Sequence, residues 1–273
     1  MNYRHIYHAG NFADIFKHLI LSMVLDYLQN KDKGMFMLDA FGGCGLYDLN
    51  SDAAQRTLEY QQGVESFMKI DFPNEDLRNF QAILKPYLAK NLYPGSPLLM
   101  AAKLRPQDRL SANELHPEDI KVLRKTLAGY HNAKALQMDA YDSIRANVPP
   151  NERRGLVLID PPFERKDEFQ VLADQITEWT IRWPTGCYMI WYPIKAGSNL
   201  DEMIFAAQDS GMKRIWMSEF LIHPRNTPES FNGCGVMIFN TPFQIPERVE
   251  AFADSLCPAL GGREITTHWL TEE

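Results

Sequence analysis

The segment Asp160-Pro161-Pro162-Phe163 follows an apolar run at 155–159 and combines residue types that could activate an amino group. A carboxylate and a carbonyl oxygen can both accept hydrogen bonds from an exocyclic amine, which returns electron density to its nitrogen. The Phe163 ring can stack on a nucleobase, and the prolines add a rigid backbone without N–H donors. The pattern predicts methyl transfer onto an exocyclic amine, with Asp160, Pro161 and Phe163 as catalytic residues. Asp-Pro-Pro is also typical of an ordinary strand end.

Acidic residues stand at the ends of four predicted strands: Asp39, Glu114, Asp139 and Asp160. Because the carboxyl ends of parallel strands share one crevice, we expect these side chains to lie close together. Four carboxylates indicate a cationic or hydroxyl-rich ligand. S-adenosylmethionine has a sulfonium, ribose hydroxyls suited to Glu114 and an adenine amino group suited to Asp139. The alternative for Asp39 and Asp139 is simple capping of the helices that follow.

The apolar periodicity predicts strands that alternate with helices. Residues 11–29 are predicted to be an amphipathic helix capped by Asn11, with one face packed inward. A strand at 35–40 leads into the glycine-rich turn 41–45, where the backbone could approach a ligand. The other predicted strands are 109–114, 134–138, 155–160, 187–191, 214–222 and 234–240. The other predicted helices outside 47–92 are 97–103, 118–127, 168–183 and 198–210. This order indicates a Rossmann-like, mainly parallel α/β sheet, with the last two strands forming an antiparallel edge hairpin.

Residues 47–92 differ from the sequence around them. They are polar and favour helix, mainly over 55–67 and 75–88, and contain no convincing strand. We therefore predict an inserted helical subdomain at 47–92, within a domain formed by 1–46 and 93–273.

Composition limits the class of protein and its partners. The 273 residues are 45% hydrophobic and 23% charged, as in ordinary globular proteins. No apolar run approaches the roughly 18 residues of a membrane span, and no secretory leader is visible, so we expect a cytoplasmic protein without membrane contact. A monomer is the default expectation, because the sequence leaves the oligomeric state open. The net charge of −7 argues against a large nucleic-acid footprint, so any RNA contact must be local. Candidate cations near the site are Arg153, Arg154, Arg165, Lys166 and Lys195, most of which could equally form a solvated surface.

The cysteines and histidines do not predict a metal site. The four cysteines lie far apart in the sequence, at Cys44, Cys187, Cys234 and Cys257. They form no C-x-x-C pair, so reduced and mostly buried thiols are expected. His5, His8 and His18 match no zinc spacing, and methyl transfer from a sulfonium needs no metal.

Motifs spread along the chain carry a specific resemblance. They are Tyr3-Arg-His-x-x-His8-Ala-Gly-Asn11-x-Ala-Asp14-x-x-Lys17-His18, Leu38-Asp39, Tyr93-Pro-Gly-Ser96-Pro, Glu114-Leu-His-Pro117, Asp160-Pro-Pro-Phe163 and Trp191-Tyr-Pro193. In this order they resemble the ribosomal RNA large subunit methyltransferase J family over nearly the whole chain. The resemblance implies a class I, Rossmann-like enzyme that uses S-adenosylmethionine, without a metal, to methylate N6 of a single adenine in 23S ribosomal RNA.

The resemblance also implies roles for individual residues. Asp160 would be the catalytic acceptor, and Tyr3 would contact the RNA. The residues implied to line the cofactor pocket are Lys17, His18, Asp39, Phe41, Ser96, Glu114, Asp139, Ala140 and Asp160. Lys17 and His18 could hold the cofactor's methionine carboxylate, although a helix-surface histidine is the alternative for His18.

The chain departs from the family pattern at two positions. Phe41 stands in place of a histidine, which leaves only a backbone contact to the cofactor. Phe163 replaces a tyrosine and keeps the ring needed for stacking.

Three alternatives remain beside this function. The first is methylation of another exocyclic amine, such as guanine N2, cytosine N4 or DNA adenine N6, because similar tetrads serve all of them. The second is a non-catalytic RNA-binding protein on a degenerate methyltransferase fold. A nicotinamide dehydrogenase is disfavoured because the glycine fingerprint is absent.

Overall fold

The computed structural model describes residues 4–228 and 230–272. The strands in this part of the chain are β1 (Phe36–Asp39), β2 (Leu46–Asp48), β3 (Leu92–Pro94), β4 (Arg109–Asn113), β5 (Ala133–Leu136), β6 (Gly155–Ile159), β7 (Cys187–Lys195), β8 (Ile215–Leu221), β9 (Phe231–Phe239) and β10 (Glu264–Thr271). The α-helices are α1 (Phe12–Gln29), α2 (Asp52–Thr57), α3 (Ser66–Met68), α4 (Glu75–Leu88), α5 (Ser96–Ala102), α6 (Asp119–Leu127), α7 (Ala140–Asn147), α8 (Glu168–Arg182), α9 (Leu200–Asp209) and α10 (Ile245–Ala259).

The central sheet is mixed, and among the described residues it has eight strands in the order β10-β8-β9-β7-β6-β1-β4-β5. Five neighbouring strands of this order, β7-β6-β1-β4-β5, pair in parallel. The strand β9 is antiparallel to both β7 and β8. The chain moves from β1 toward β5 and then returns to continue from β6 on the other side of β1. A ligand site is expected at this switch point. The predicted Rossmann-like sheet is therefore confirmed.

The antiparallel edge is larger than predicted. The strands β8 and β9 form the expected hairpin, but β10 pairs with β8 and is the outermost strand. Both α10 and β10 lie beyond the last predicted element, and α7 was also not predicted. The strand β10 is only partly buried along its length, so it lacks the strong apolar signal of an interior strand.

Helix α1 is buried almost all round. Of its 18 residues, 14 are buried, so the prediction of a single inward face was wrong. The helix lies between the sheet and the helices of 47–92, and it contacts β9 on one side and α4 on another. A helix covered on all sides loses the polar stripe that marks an exposed face, yet α1 carries Asp14, Lys17 and His18 in this buried position.

The segment 47–92 begins and ends in a short ladder. The strands β2 and β3 pair antiparallel, with Tyr47 opposite Tyr93, so the prediction that this segment lacks strands was wrong. Between them, the aromatic rings of Phe67, Phe72 and Phe80 pack together and belong to the same apolar cluster as α1. Whether 47–92 is a separate subdomain stays a prediction.

Gly63 provides a test of how closely this segment packs on α1. A Cβ added there would lie 2.0 Å from the Gly10 carbonyl oxygen and 2.6 Å from the Asn11 Cα. Gly63→Ala should therefore lower the free energy of unfolding by about 1–3 kcal/mol. Gly129→Ala is the control, because nothing lies within 4 Å of the added atom. Equal urea unfolding midpoints for the two variants would contradict this packing.

Candidate active site

A cavity of about 460 Å³ opens at the carboxyl ends of the parallel strands, and this volume is typical of a small-molecule site. The predicted site residues in its wall are Lys17, His18, Phe41, Ser96, Glu114, Asp139, Ala140, Asp160, Pro161 and Phe163. Two predicted residues are not among them. Asp39 is fully buried, and Tyr3 lies outside the described residues.

A buried lysine joins α1 to the end of β6. Lys17 Nζ lies 2.5 Å from Asp160 Oδ2 and 3.0 Å from Asp14 Oδ1. Burial alone would lower the pKa of Lys17, but the charges of Asp160 and Asp14 outweigh burial and raise that pKa above its usual value. The ammonium is therefore charged, and it fixes the Asp160 carboxylate in the cavity wall.

Asp14 extends this contact toward the N-terminus. Its Oδ2 lies 2.8 Å from His5 Nε2 and accepts a hydrogen bond from the Gly10 N–H at 2.9 Å. Burial would raise the pKa of Asp14, but His5 and Lys17 hold it well below its usual value. Asn11 caps α1 as predicted, by accepting from the Asp14 N–H. The chain His5–Asp14–Lys17–Asp160 is thus continuous along one wall of the cavity.

His18 is a neutral group in this wall. Its Nδ1 lies 2.8 Å from the Tyr93 hydroxyl, and the two rings stack with their centroids 5.7 Å apart. Burial lowers the pKa of His18 to about 3, with Lys17 acting in the same direction. The side chain is only 1% exposed, so the alternative of a surface histidine is wrong. A cofactor contact by His18 would be a hydrogen bond rather than an ion pair.

Asp39 lies beneath the cavity wall instead of in it. Its Oδ1 accepts a hydrogen bond from the Phe41 N–H at 3.2 Å, and its buried Oδ2 has no partner among the described residues. Burial raises the pKa of Asp39 to about 7, although the nearby Ser96 hydroxyl and the Phe41 N–H oppose the shift. Asp39 thus supports the loop that follows β1.

The glycine turn after β1 is held by the residues that end β4. Glu114 Oε2 accepts from the Gly43 N–H at 2.9 Å, and Glu114 Oε1 accepts from the His116 N–H. The Asn113 amide donates to the carbonyls of Ala40 and Met138 at 3.1 and 3.0 Å. Asn113 therefore ties the loops after β1 and β5 together, and sequence reasoning missed it. The available signal was a second polar residue beside Glu114.

The backbone conformation at Gly43 and the packing of Tyr47 against it both require a glycine. The φ of Gly43 is 56°, and an added Cβ would lie 2.2 Å from the Tyr47 hydroxyl oxygen. The side chain of Tyr47 therefore occupies the space beside Gly43, and the predicted approach of this turn to a ligand stays a prediction.

Asp139 combines capping with a place in the wall. Its Oδ1 accepts from the N–H groups of Tyr141 and Asp142 at the start of α7, so the capping alternative is confirmed, whereas the contact with a cofactor stays a prediction. The Tyr141 ring meets Phe41 edge to face, and its hydroxyl donates to Glu168. Tyr141 also lines the cavity, where sequence reasoning missed it.

The Asp-Pro-Pro-Phe segment presents an open acceptor beside a ring. Asp160 Oδ1 has no hydrogen-bond partner within 4–228 and 230–272, and the side chain is 17% exposed. Phe163 has a φ of 49°, which is uncommon for a non-glycine residue. Its ring packs on Phe169, with centroids 4.9 Å apart, and meets Trp191 edge to face at 6.0 Å. A flat ligand could therefore meet the remaining face of Phe163 close to Asp160.

The segment 47–92 contributes one residue that sequence reasoning missed. Glu59 Oε1 lies 2.8 Å from His8 Nδ1, and Glu59 Oε2 accepts from the Asn11 amide at 3.0 Å. The hydrogen bond to Glu59 raises the pKa of His8. All three side chains line the cavity. No local sequence pattern signals contacts across about 50 positions.

The five candidate cations divide sharply. Lys195 lines the cavity, whereas Arg153 and Arg154 precede β6 and lie at the amino ends of the parallel strands, away from the cavity. Arg165 pairs with the neighbouring Asp167, and Lys166 is exposed outside the wall. The prediction of cations near the site thus holds for Lys195 alone among the five.

In the described part of the chain, no three His, Cys, Asp or Glu residues are grouped closely enough to hold a metal ion. The four cysteines are buried and free, as predicted. None of the described helices is both long and apolar enough to cross a membrane.

The chain is similar to known proteins over most of its length. A family model described as "Ribosomal RNA large subunit methyltransferase D, RlmJ" matches residues 32–271. Proteins called ribosomal RNA large subunit methyltransferase J, from Haemophilus influenzae and Escherichia coli, are 34% and 33% identical over the full length of both chains. The chain belongs to this family. The resemblance inferred from the motifs is confirmed, and the protein is a methyltransferase of the ribosomal RNA large subunit methyltransferase J family.

A solved structure extends this result to the fold. A crystal structure of a Legionella pneumophila protein is 29% identical to this methyltransferase and has a TM-score of 0.87. The similarity covers 97% of this chain and 99% of the other. The additional strand β10 and the segment 47–92 therefore lie inside a fold that is shared over nearly the whole length.

Removing the buried ammonium should destabilise the methyltransferase. Lys17→Met leaves Asp14 and Asp160 without their shared counter-charge, and we expect a loss of about 3–5 kcal/mol in the free energy of unfolding. The double variant Lys17→Met/Asp14→Asn also removes one anion and should recover part of the loss. Lys121→Met is the control because its pair with Glu118 is exposed and contributes little. Urea unfolding measures all three, and equal losses at positions 17 and 121 would contradict the assignment.

Asp39 should make stability depend on pH. Because its folded pKa is raised to about 7 from 3.8, the folded protein holds this proton more tightly than the unfolded chain. The stability that this proton provides is present below about pH 4 and is lost as the pH rises through 7. Asp39→Asn does not titrate, so its melting temperature relative to wild type should be higher at about pH 8 than at about pH 5. Asp32→Asn, on an exposed loop, is the control, and a pH-independent difference for Asp39→Asn would refute this account.

Proposed function

We propose that this methyltransferase uses S-adenosylmethionine to methylate N6 of a single adenine in 23S ribosomal RNA. The observation that carries the proposal is the Asp160 carboxylate, which Lys17 holds through one oxygen while the other is open to the cavity beside Phe163. The relatives named as large-subunit ribosomal RNA methyltransferases support the RNA substrate.

The residues over β4 and β5 fit S-adenosylmethionine by their chemistry. Bound there, this cofactor supplies an electrophilic methyl group on a sulfonium. Glu114 is anchored by two backbone N–H groups and keeps lone pairs for ribose hydroxyls. Asp139 uses one oxygen for α7 and has the other for an adenine amino group. Ala140, Phe41 and Ser96 complete this side of the wall.

Asp160 and Pro161 are proposed to orient the target amine. An ionised carboxylate only accepts hydrogen bonds, so Asp160 can accept a hydrogen bond from one amino hydrogen while the Pro161 carbonyl accepts one from the other. This arrangement concentrates electron density on the nitrogen and aligns its lone pair for direct displacement. The nitrogen becomes acidic only after the new C–N bond has formed. Asp160 is then the carboxylate positioned to accept the departing proton.

Phe163 is proposed to stack on the adenine. The base must be unpaired or flipped out of its helix to reach a cavity of this kind. Phe169 supports the Phe163 ring from behind, which keeps the stacking face fixed. The net charge of −7 agrees with a contact confined to the target and its nearest neighbours.

The proposal is tested by the isosteric change Asp160→Asn. The amide is uncharged and has a single oxygen, so it cannot accept from Lys17 and from the substrate amine through two separate oxygens as the carboxylate does. Turnover should therefore fall by at least about 100-fold, while binding of S-adenosylmethionine stays close to that of wild type. Asp167→Asn is the control, because this aspartate lies in the same loop but pairs with Arg165 outside the cavity. Methyl transfer to 23S RNA from cells lacking the gene, with mass spectrometry of the nucleosides, measures both the rate and the product.

The nucleoside product separates the alternatives. A single N6-methyladenosine, formed by wild type and lost in Asp160→Asn, is the expected result. Methylated guanine or cytosine would instead assign another exocyclic amine. Unchanged turnover in Asp160→Asn would refute the role of this carboxylate, and cofactor binding without any methyl transfer by wild type would favour a non-catalytic protein.

A further inference from the structure

The carboxylates of the cavity wall are not neutralised evenly. Four of them each contact a basic side chain of the described residues, namely Asp14, Glu59, Asp119 and Asp160. Glu114 and Asp139, which follow β4 and β5, accept only backbone N–H groups among the described residues. The negative charge of the cavity is therefore concentrated on the β4–β5 side.

The opposite side of the cavity is built on β7. Trp191, Pro193 and Lys195 line it, and these alternate residues share one face of the strand. Tyr192 and Ile194 are buried on the other face. Trp191 meets the Phe163 ring, and Lys195 follows four residues later, roughly 13 Å along the strand at about 3.3 Å per residue. The row of Trp191, Pro193 and Lys195 therefore leads from the segment 160–163 toward solvent and ends in a cation.

Lys195 is a cation of this wall that forms no ion pair with the described residues. Lys17 is 4% exposed and bound by two carboxylates. Lys195 is exposed and contacts no carboxylate within the described residues, and its strand partner is Phe231. A lysine kept apart from six nearby acids is available to an anion from outside.

We propose that Lys195 binds a backbone phosphate of the RNA beside the target nucleotide, which makes it a substrate-positioning residue. This inference rests on the proposed function. With the base at Asp160 and Phe163, its phosphodiester must lie toward the cavity mouth. Repulsion from Glu114 and Asp139 disfavours one side for a phosphate, and attraction to Lys195 favours the other. Lysine is a suitable point charge for a phosphate oxygen.

The experiment compares Lys195→Ala, Lys195→Arg and Lys213→Ala in the full-length enzyme with 23S RNA. Lys213 is an exposed lysine that precedes β8. Because β8 runs in the same direction as β7, Lys213 lies at the end of the strands opposite to Lys195. Lys195→Ala should raise the KM for RNA by about 3–10-fold and should reduce the slope of log kcat/KM against log salt by about 1. The kcat and the Kd of S-adenosylmethionine should not change. Lys195→Arg should recover most of the KM, and Lys213→Ala should behave as wild type.

Each other outcome overturns the assignment in a distinguishable way. A salt slope and KM that are the same in Lys195→Ala and Lys213→Ala would show that no phosphate is bound at this position. A weaker Kd for S-adenosylmethionine with an unchanged KM for RNA would place Lys195 at the cofactor's carboxylate. If the wild-type enzyme methylates no RNA, the proposed function itself fails, and the role of Lys195 fails with it.

Discussion

The buried ammonium of Lys17 is the constraint on which the rest of the site depends. A charge removed from water is tolerated only when it is paired, and Lys17 takes its two carboxylates from its own helix and from the end of β6. The ion group therefore sets the position of α1 relative to the sheet. The strength of this contact depends on the burial of α1, because an exposed Lys17 would be solvated and would hold Asp160 only weakly.

The order of strands converts this fixed point into a divided cavity. Because the chain turns back between β5 and β6, the loops after β1, β4 and β5 lie together on one side of Asp160, and β7 with its partner β9 lies on the other. One side has carboxylates held by backbone N–H groups, and the other has aromatic rings and a lysine. A small polar cofactor and a polyanionic substrate differ in the charge they tolerate, so the two sides suit different ligands.

Sequence alone could predict the strands that the fold buries on both faces and the acids that follow them. The run 155–159 is apolar throughout because β6 lies at the centre of the sheet. It could not predict that Asp39 is covered while Glu114 remains in the wall, since this depends on neighbouring strands rather than on the residue. The strands β2 and β3 have three residues each, too few for a periodic signal, and the contact of Glu59 with His8 arises only when distant segments meet.

The ion pair of Asp160 could itself have closed the site to an amine. An arginine at the position of Lys17 could bind both carboxylate oxygens in a planar, bidentate contact and leave little acceptor capacity. Lysine is instead a point charge, and here it contacts only Oδ2 of Asp160. A carboxylate has about four lone-pair sites, so Oδ1 still faces the cavity as an acceptor. The same interaction that fixes Asp160 therefore also leaves it able to bind a substrate hydrogen, and this requires lysine rather than arginine in the buried helix.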